Sequence, residues 1–220
     1  MDEDLKKSIL KTGTSLVGIV CKDGVVMAGD RKATAGTIVL NKESQKVLQL
    51  NDYVVISWTG SVADTQLLKK LIRAELRLKQ LRDKKRPTIK ETANLVAMIA
   101  YKNIRQPSMI PFIAGTMIGG FNEDETVELY SIEPAGSVML VNDFDANFSS
   151  GMPYILGLLE RLYKKGLSTE EGIELAIDAI MASSERDTAS GHGVDVFKIT
   201  KNGIEHVAKR KVEKIYTEQE

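Results

Sequence analysis

An acid closes one of the apolar runs of this sequence, and two bases follow it. In Val25-Val26-Met27-Ala28-Gly29-Asp30-Arg31-Lys32 the carboxylate of Asp30 ends a strand-like segment, where a charge must be paired or solvated. Lys46 stands directly before another apolar run, Val47-Leu48. It reads either as a surface lysine or as the partner of Asp30, and spacing alone does not separate the two. Gly13-Thr14 precedes the first strand-like run. Such a pair alone reads as a turn and a strand start; the acid and bases nearby shift that weight toward a hydroxyl with a chemical task. Asp187 and Ser190 follow a helical segment, where turn and cap chemistry competes evenly with a site role.

Other chemistries find less support. Cys21 is the only cysteine, which excludes an internal disulfide and a thiolate zinc cage; between Val20 and Lys22 it reads as a small buried hydrophobe. His192 and His206 are the only histidines, and they do not form a pair at helical metal-ligand spacing. A serine hydrolase would need His192 as its base, but a loop histidine between two glycines is more often solvated. There is neither a P-loop nor a G-x-G-x-x-G, so nucleotide binding has no sequence support and no cofactor is expected. Asn147-Phe148-Ser149 matches a glycosylation sequon, read here as chance.

The elements that must position these groups are ordinary globular ones. The chain has 220 residues, 43% hydrophobic and 27% charged, which argues against disorder and against a membrane span. Thirty basic and thirty acidic residues cancel, leaving no net field to hold a nucleic acid or an anionic membrane. Acidic and basic residues near Met1 stand where a signal peptide needs an apolar run, so a cytoplasmic location is expected. Residues 14–58 read as strands: Ser15 to Cys21 and Val25 to Gly29 flank an Asp23-Gly24 turn signal, and Tyr53 to Trp58 is a further β-rich run.

Leu67, Leu71, Ala74, Leu78 and Leu81 then recur at helical spacing as one apolar stripe. Arg82-Asp83-Lys84-Lys85-Arg86 before Pro87 reads as a solvated helix end. Thr88 and Glu91 form a capping box for a second helix, with Ala93, Val96, Ala97, Ala100, Tyr101 and Ile104 as its buried face. Strands are expected at Phe112 to Ile118, Val127 to Ile132 and Ser137 to Val141, and a third helix between Gly151 and Gly166. Ser168 and Glu171 cap a fourth, with Ile173, Ala176, Ile177, Ile180 and Met181 inward, before strands at Val194 to Thr200 and Ile204 to Val207. The order predicts one α+β domain with helix pairs segregated from sheets.

Six segments in register carry a resemblance: Thr-Gly-Thr at 12–14, Gly-Asp-Arg-Lys-Ala-Thr at 29–34, Lys46, Trp-Thr-Gly-Ser-Val-Ala-Asp at 58–64, Ser-Ser-Gly at 149–151 and Glu-Arg-Asp-Thr-Ala-Ser-Gly-His-Gly at 185–193. From Gly13 to about Val207 the sequence resembles the proteasome β subunits of archaeal type, threonine proteases of the N-terminal nucleophile hydrolase group. The resemblance implies a four-layer αββα sandwich of two antiparallel sheets between helix pairs. It implies a leader, residues 1–13, cut from a catalytic domain of residues 14–220. Thr14 would then be the nucleophile, with its freed α-amine, of reference pKa about 7.7–8.0, as the base. Gly13 lets Thr14 fold back on the carbonyl that it must attack.

Lys46 would be a fixed cation beside the hydroxyl, and Asp30 would hold it. The Gly60 N–H would be an oxyanion donor, a type of contact worth about 3–4 kcal/mol of barrier. Ser150, chosen over Ser149 because Gly151 follows it, would with Asp187 and Ser190 hold the amine and a water. Ala33, Leu48, Trp58 and Val62 would line the pocket for the residue preceding the cut, with the indole of Trp58 shrinking it or stacking on a guest. The implied partners are other β subunits in a sevenfold ring, α-subunit rings, a regulatory ATPase ring acting indirectly, and unfolded protein substrates. A structural β-type subunit that keeps its leader is the alternative, although such subunits usually lack the threonine, the acid or the lysine. A bacterial relative with sixfold rings and small-molecule amidohydrolases share the fold. The family often follows its first threonine with more; here Ser15 and Leu16 follow.

Overall fold

Alternation of side chains along the first two strands sets up the architecture. The computed structural model describes residues 13–107 and 112–210; of the expected leader, residues 1–13, all but Gly13 lie outside them. β1 (Leu16–Cys21) and β2 (Gly24–Asp30) form the expected hairpin, with Leu16 opposite Gly29 and Cys21 opposite Gly24. β3 (Ala33–Ala35) and β4 (Ile38–Asn41) make a separate two-stranded sheet. β5 (Val47–Asn51) and β6 (Val54–Gly60) lead into α1 (Val62–Asp83) and α2 (Ile89–Ile104). β7 (Ala114–Phe121), β8 (Val127–Ile132), β9 (Val138–Leu140) and β10 (Phe144–Asp145) precede α3 (Met152–Leu162) and α4 (Thr169–Ser184). β11 (Val194–Thr200) and β12 (Gly203–Arg210) close the series. The strands form two five-stranded antiparallel sheets, in the orders β10-β1-β2-β11-β12 and β5-β6-β7-β8-β9. The α+β class read from the segment order holds: two main sheets and four helices among the described residues.

Three apolar clusters hold these elements. Leu16, Val25, Met27, Phe197 and Ile199 of the first sheet meet Val47, Val55, Met117 and Leu129 of the second. The opposite side of β1 and β2, with Val17, Ile19 and Val26, packs on Ile155 and Leu159 of α3 and Ile180 of α4. Ile56, Ile118 and Ile132 of the second sheet pack on Ile72 of α1 and Val96 of α2. Both capping boxes form as read, Thr88 with Glu91 and Ser168 with Glu171.

Four details depart from the sequence reading. The stripe Leu67, Leu71, Ala74, Leu78 and Leu81 is the exposed side of α1; Thr65, Leu68, Ile72 and Leu76 are buried instead. α1 carries two apolar rows, and periodicity shows that a row exists without showing which one meets the sheet. Tyr101 is exposed rather than buried, because it lies under the Arg105 guanidinium, 3.6 Å from the ring centre, instead of on the sheet. α3 stops at Leu162, where the Tyr163 N–H donates to Leu159 O at 2.8 Å, four residues before Gly166. Arg86 is not free in solvent: its guanidinium stacks on Tyr53 and Phe121, at 4.5 and 4.9 Å from the ring centres.

The α1 correction has a measurable consequence. Ile72→Ala removes a fully buried side chain from the cluster under the helices and is expected to cost about 2–5 kcal/mol. Leu71→Ala, on the exposed row, should stay within about 0.5 kcal/mol. Urea denaturation of the two variants checks the contrast, and equal losses would contradict the burial of the Ile72 row against the sheet.

Candidate active site

Asp30 ends β2 where the strand pairs with β11, with Val194 as its register partner, and its side chain has no exposure to solvent. Four donors satisfy the buried carboxylate. Oδ1 accepts from Lys46 Nζ at 2.7 Å and the Ser15 N–H at 2.8 Å; Oδ2 accepts from the Lys32 N–H and the Gly191 N–H, each at 3.0 Å. The pairing of Lys46 with Asp30, left open by spacing, is thus made across two strands. Lys46 is buried too, and burial pulls its ammonium below the usual lysine range while Asp30 pulls it back up.

The cation reaches onward. Lys46 Nζ also donates to Gly13 O at 2.9 Å, and the Thr14 hydroxyl donates to the same oxygen at 2.6 Å. One carbonyl therefore receives an ammonium and the hydroxyl of the very next residue, a polarised acyl group with an oxygen nucleophile beside it. Gly13 stands so close to Ala189 that a Cβ there would overlap the alanine side chain, which makes glycine a steric requirement. On the other side, the Thr14 N–H donates to Ser150 Oγ at 2.9 Å, and Ser150 Oγ donates to Asp187 Oδ2 at 2.5 Å. Ser190 Oγ donates to the same carboxylate oxygen at 2.6 Å. Of the adjacent serines, Ser149 is turned away, with its hydroxyl donating to Ala146 O at 2.8 Å.

Thr14, Lys46 and Gly13 border a cleft of roughly 300 Å³ whose lining also includes Ala33, Leu48, Trp58, Gly60 and Val62. Gly60, the last residue of β6, has φ of +112°, a conformation that side chains rarely adopt, and a Cβ there would strike Ile113 O. Trp58 belongs to the cluster beneath α1 and α2 as well as to the cleft lining, so it is core residue and wall at once. His192 lies in the left-handed region, φ +63°, and burial next to Lys32 and Lys42 lowers its basicity. Among the described residues, the partner of the Thr14 hydroxyl is Gly13 O and not an imidazole.

A model of the proteasome subunit family matches residues 10–199, a span that contains every residue of this constellation. The chain belongs to the proteasome subunit family. The "Proteasome subunit beta" of Methanobrevibacter smithii is 40% identical over 203 residues, 92% of this chain and 95% of that protein. Those of Methanopyrus kandleri and Ferroglobus placidus are each 36% identical, over 207 and 203 residues, with at least 92% of this chain and 94% of each relative covered. The resemblance to archaeal proteasome β subunits read from six short segments thus holds over nearly the whole chain.

Against this family background the other candidates recede. Burial beside Asp23, Glu170 and Glu171 pushes the Cys21 thiol up to about 12, away from the nucleophilic thiolate form. Asn147 is buried, with Nδ2 donating to Thr116 O at 2.8 Å, so its sequon offers no acceptor to a glycan. Among the described residues no group of three or more His, Cys, Asp and Glu is arranged to hold a metal, and no helix is long and apolar enough to cross a membrane.

The sequence reading missed several contributors. Ser15 supplies an N–H to Asp30 and a hydroxyl to Ser190, at 2.8 and 2.7 Å. Lys32 Nζ donates to the carbonyls of Thr188 and Ser190, at 2.8 and 3.0 Å, and so ties the loop that carries Asp187 to the end of β2. Lys32 sits inside the Gly-Asp-Arg-Lys-Ala-Thr segment and Gly191 inside Glu-Arg-Asp-Thr-Ala-Ser-Gly-His-Gly, which were the available signals; Ser183 had none.

Proposed function

We propose that this chain is a threonine endopeptidase subunit of a proteasome core, with Thr14 as nucleophile after cleavage of the Gly13–Thr14 bond. The observation that carries the reading is the carbonyl of Gly13, held between the Lys46 ammonium and the Thr14 hydroxyl. In the precursor, Thr14 Oγ1 attacks the Gly13 carbonyl carbon and its proton leaves for a base. Lys46, which already donates to that carbonyl oxygen, offsets the charge that gathers on it. The C–N bond breaks, the Thr14 nitrogen takes a proton and becomes the α-amine, and water hydrolyses the resulting ester, releasing residues 1–13 as a carboxylate.

The mature site uses the same atoms. Thr14 Oγ1 passes its proton to the free amine while it attacks a substrate carbonyl, and the departing peptide amine takes that proton away. Water then cleaves the acyl-threonine. The Gly60 N–H would meet the substrate oxyanion. Asp30 keeps Lys46 charged and in place, and Ser150, Asp187 and Ser190 orient the amine. Before cleavage the Thr14 nitrogen is an amide without usable basicity, so the leader keeps the site inactive.

The three apolar clusters support helices outside two facing sheets, the four-layer αββα order. Relatives named "Proteasome subunit beta" support assembly with other subunits of a proteasome core; the partners we propose are further β subunits in a sevenfold ring, α subunits, and an ATPase ring that feeds unfolded protein. A cytoplasmic location accompanies that reading. Intact mass of the assembled protein tests it: loss of residues 1–13 is expected, and an intact leader in an assembled particle would favour a structural subunit. Cleavage preference tests the wall of the cleft. Trp58→Ala enlarges it and should raise kcat/KM after large apolar residues relative to small ones by about tenfold. An unchanged ratio across a fluorogenic peptide panel would remove the indole from the specificity account.

A further inference from the structure

The Thr14 nitrogen sits at one end of a hydrogen-bonded chain of hydroxyls whose other members reach into the interior. Ser15 Oγ donates to Ser190 Oγ at 2.7 Å and lies 2.7 Å from Ser183 Oγ, in the last turn of α4. Ser15, Ser183 and Ser190 are all buried. Each hydroxyl has one proton. Ser190 spends its own on Asp187, so the contact with Ser15 uses the proton of Ser15. Ser15 then has none for Ser183, which makes Ser183 the donor between those two. Every proton from Ser183 to Asp187 thus runs in one direction. Ser150 Oγ lies within reach of two acceptors, Asp187 Oδ2 at 2.5 Å and Thr14 O at 3.1 Å; its single proton goes to the closer, charged one, and it faces the Thr14 nitrogen with lone pairs.

A second observation ties this chain to the position of Ser150. A Cβ on Gly151 would overlap the hydroxyl oxygens of both Ser15 and Ser183, and the Gly151 N–H donates to Thr14 O at 3.1 Å. The backbone that carries Ser150 therefore packs directly on the buried serine pair.

We propose that Ser15 is a positioning residue for the amine of processed Thr14: its proton commits Ser190 to Asp187, and Asp187 in turn commits Ser150 to accept from the amine. The inference rests on the reading of Thr14 as nucleophile. With one N–H pinned on Ser150, the lone pair of the free amine is left for the Thr14 hydroxyl. Without the Ser15 hydroxyl, Ser190 is no longer polarised by a donor, and its bond to Asp187 weakens. Asp187 then presents more uncompensated charge to the amine and favours the ammonium form. The other charges facing this nitrogen are Lys46 beside β5, Asp30 at the end of β2, and Lys32 on the carbonyls of Thr188 and Ser190. All of these stay in place when Ser15 changes.

The test is the pH profile of kcat/KM for peptide hydrolysis by the assembled, processed protein. Ser15→Ala should move the acid limb to higher pH by about half a unit. Ser15→Thr, which keeps the hydroxyl, should restore the parental limb. Ser183→Ala removes a donor one step further from Asp187 and should move the limb in the same direction but by clearly less than Ser15→Ala, even though it vacates the same buried volume. A limb unmoved in Ser15→Ala, or moved equally in Ser183→Ala, would overturn the proposal in favour of simple packing. Leader retention in both Ser15 variants would overturn it as well, because volume rather than the hydroxyl would then matter. Thr14→Ala is the separate control. If it still hydrolyses peptide, the nucleophile assignment fails; if it is inactive while Ser15→Ala keeps the parental profile, only the role of Ser15 fails.

Discussion

Thr14→Ala is expected to leave residues 1–13 attached and to lower peptide hydrolysis by roughly four orders of magnitude or more, as loss of a covalent nucleophile does in other hydrolases. The two effects have one cause. In the precursor the hydroxyl of Thr14 is the group that lies against Gly13 O, and alanine offers nothing in its place. Intact mass reports the first effect and a fluorogenic peptide the second. Assembly should survive, because β1 and its pairing with β2 begin beyond the substituted side chain. A processed, active Thr14→Ala particle would mean that some other group cuts the chain, and the mechanism proposed here would be abandoned.

The second large effect is at Lys46, where stability and catalysis separate. Lys46→Ala leaves the Asp30 carboxylate fully buried without its cation, a change that typically costs about 3–5 kcal/mol. The lower end of that range is expected, because the N–H groups of Ser15, Lys32 and Gly191 still bind Asp30. The same variant strips the ammonium from Gly13 O and should lower processing and hydrolysis by at least about a hundredfold. Lys46→Arg distinguishes the two roles. It keeps a positive charge for Asp30 and should recover most of the stability. A planar guanidinium cannot set one compact donor on both Asp30 Oδ1 and Gly13 O, so hydrolysis should stay low. Urea denaturation and leader retention, measured on the same preparations, check both halves. An active, processed Lys46→Ala protein would sink the assignment.

The site residues were legible through the resemblance carried by six short segments, and local chemistry alone left several of them open. An acid at the end of a buried run needs a partner, and Asp30 has Lys46. A glycine before Thr14 is required by the close approach of Ala189, and the short Ser-Ser-Gly and Asp-Thr-Ala-Ser-Gly segments supply Ser150, Asp187 and Ser190. What escaped notice was carried by residues without a distinctive neighbourhood. Ser15 looked like a departure from a run of threonines and proves to be hydrogen-bonded to Ser190 and Asp30, 175 and 15 residues away. Ser183, in the last turn of α4, belongs to none of the six segments.

The sequence by itself determined the order of the elements, both capping boxes, the first hairpin and the residue types that meet around Thr14. Each of these follows from interactions within a few residues, or from motifs short enough to be read as words. Only the tertiary structure decided which apolar row of α1 faces the sheet, since a helix with two such rows is amphipathic either way. It alone decided that Lys46 pairs with Asp30 rather than with water, and that the hydroxyls behind Thr14 share one polarity. Those outcomes depend on contacts that close across strands and loops far apart in the chain, where burial leaves each polar group only the partners that the packing brings to it.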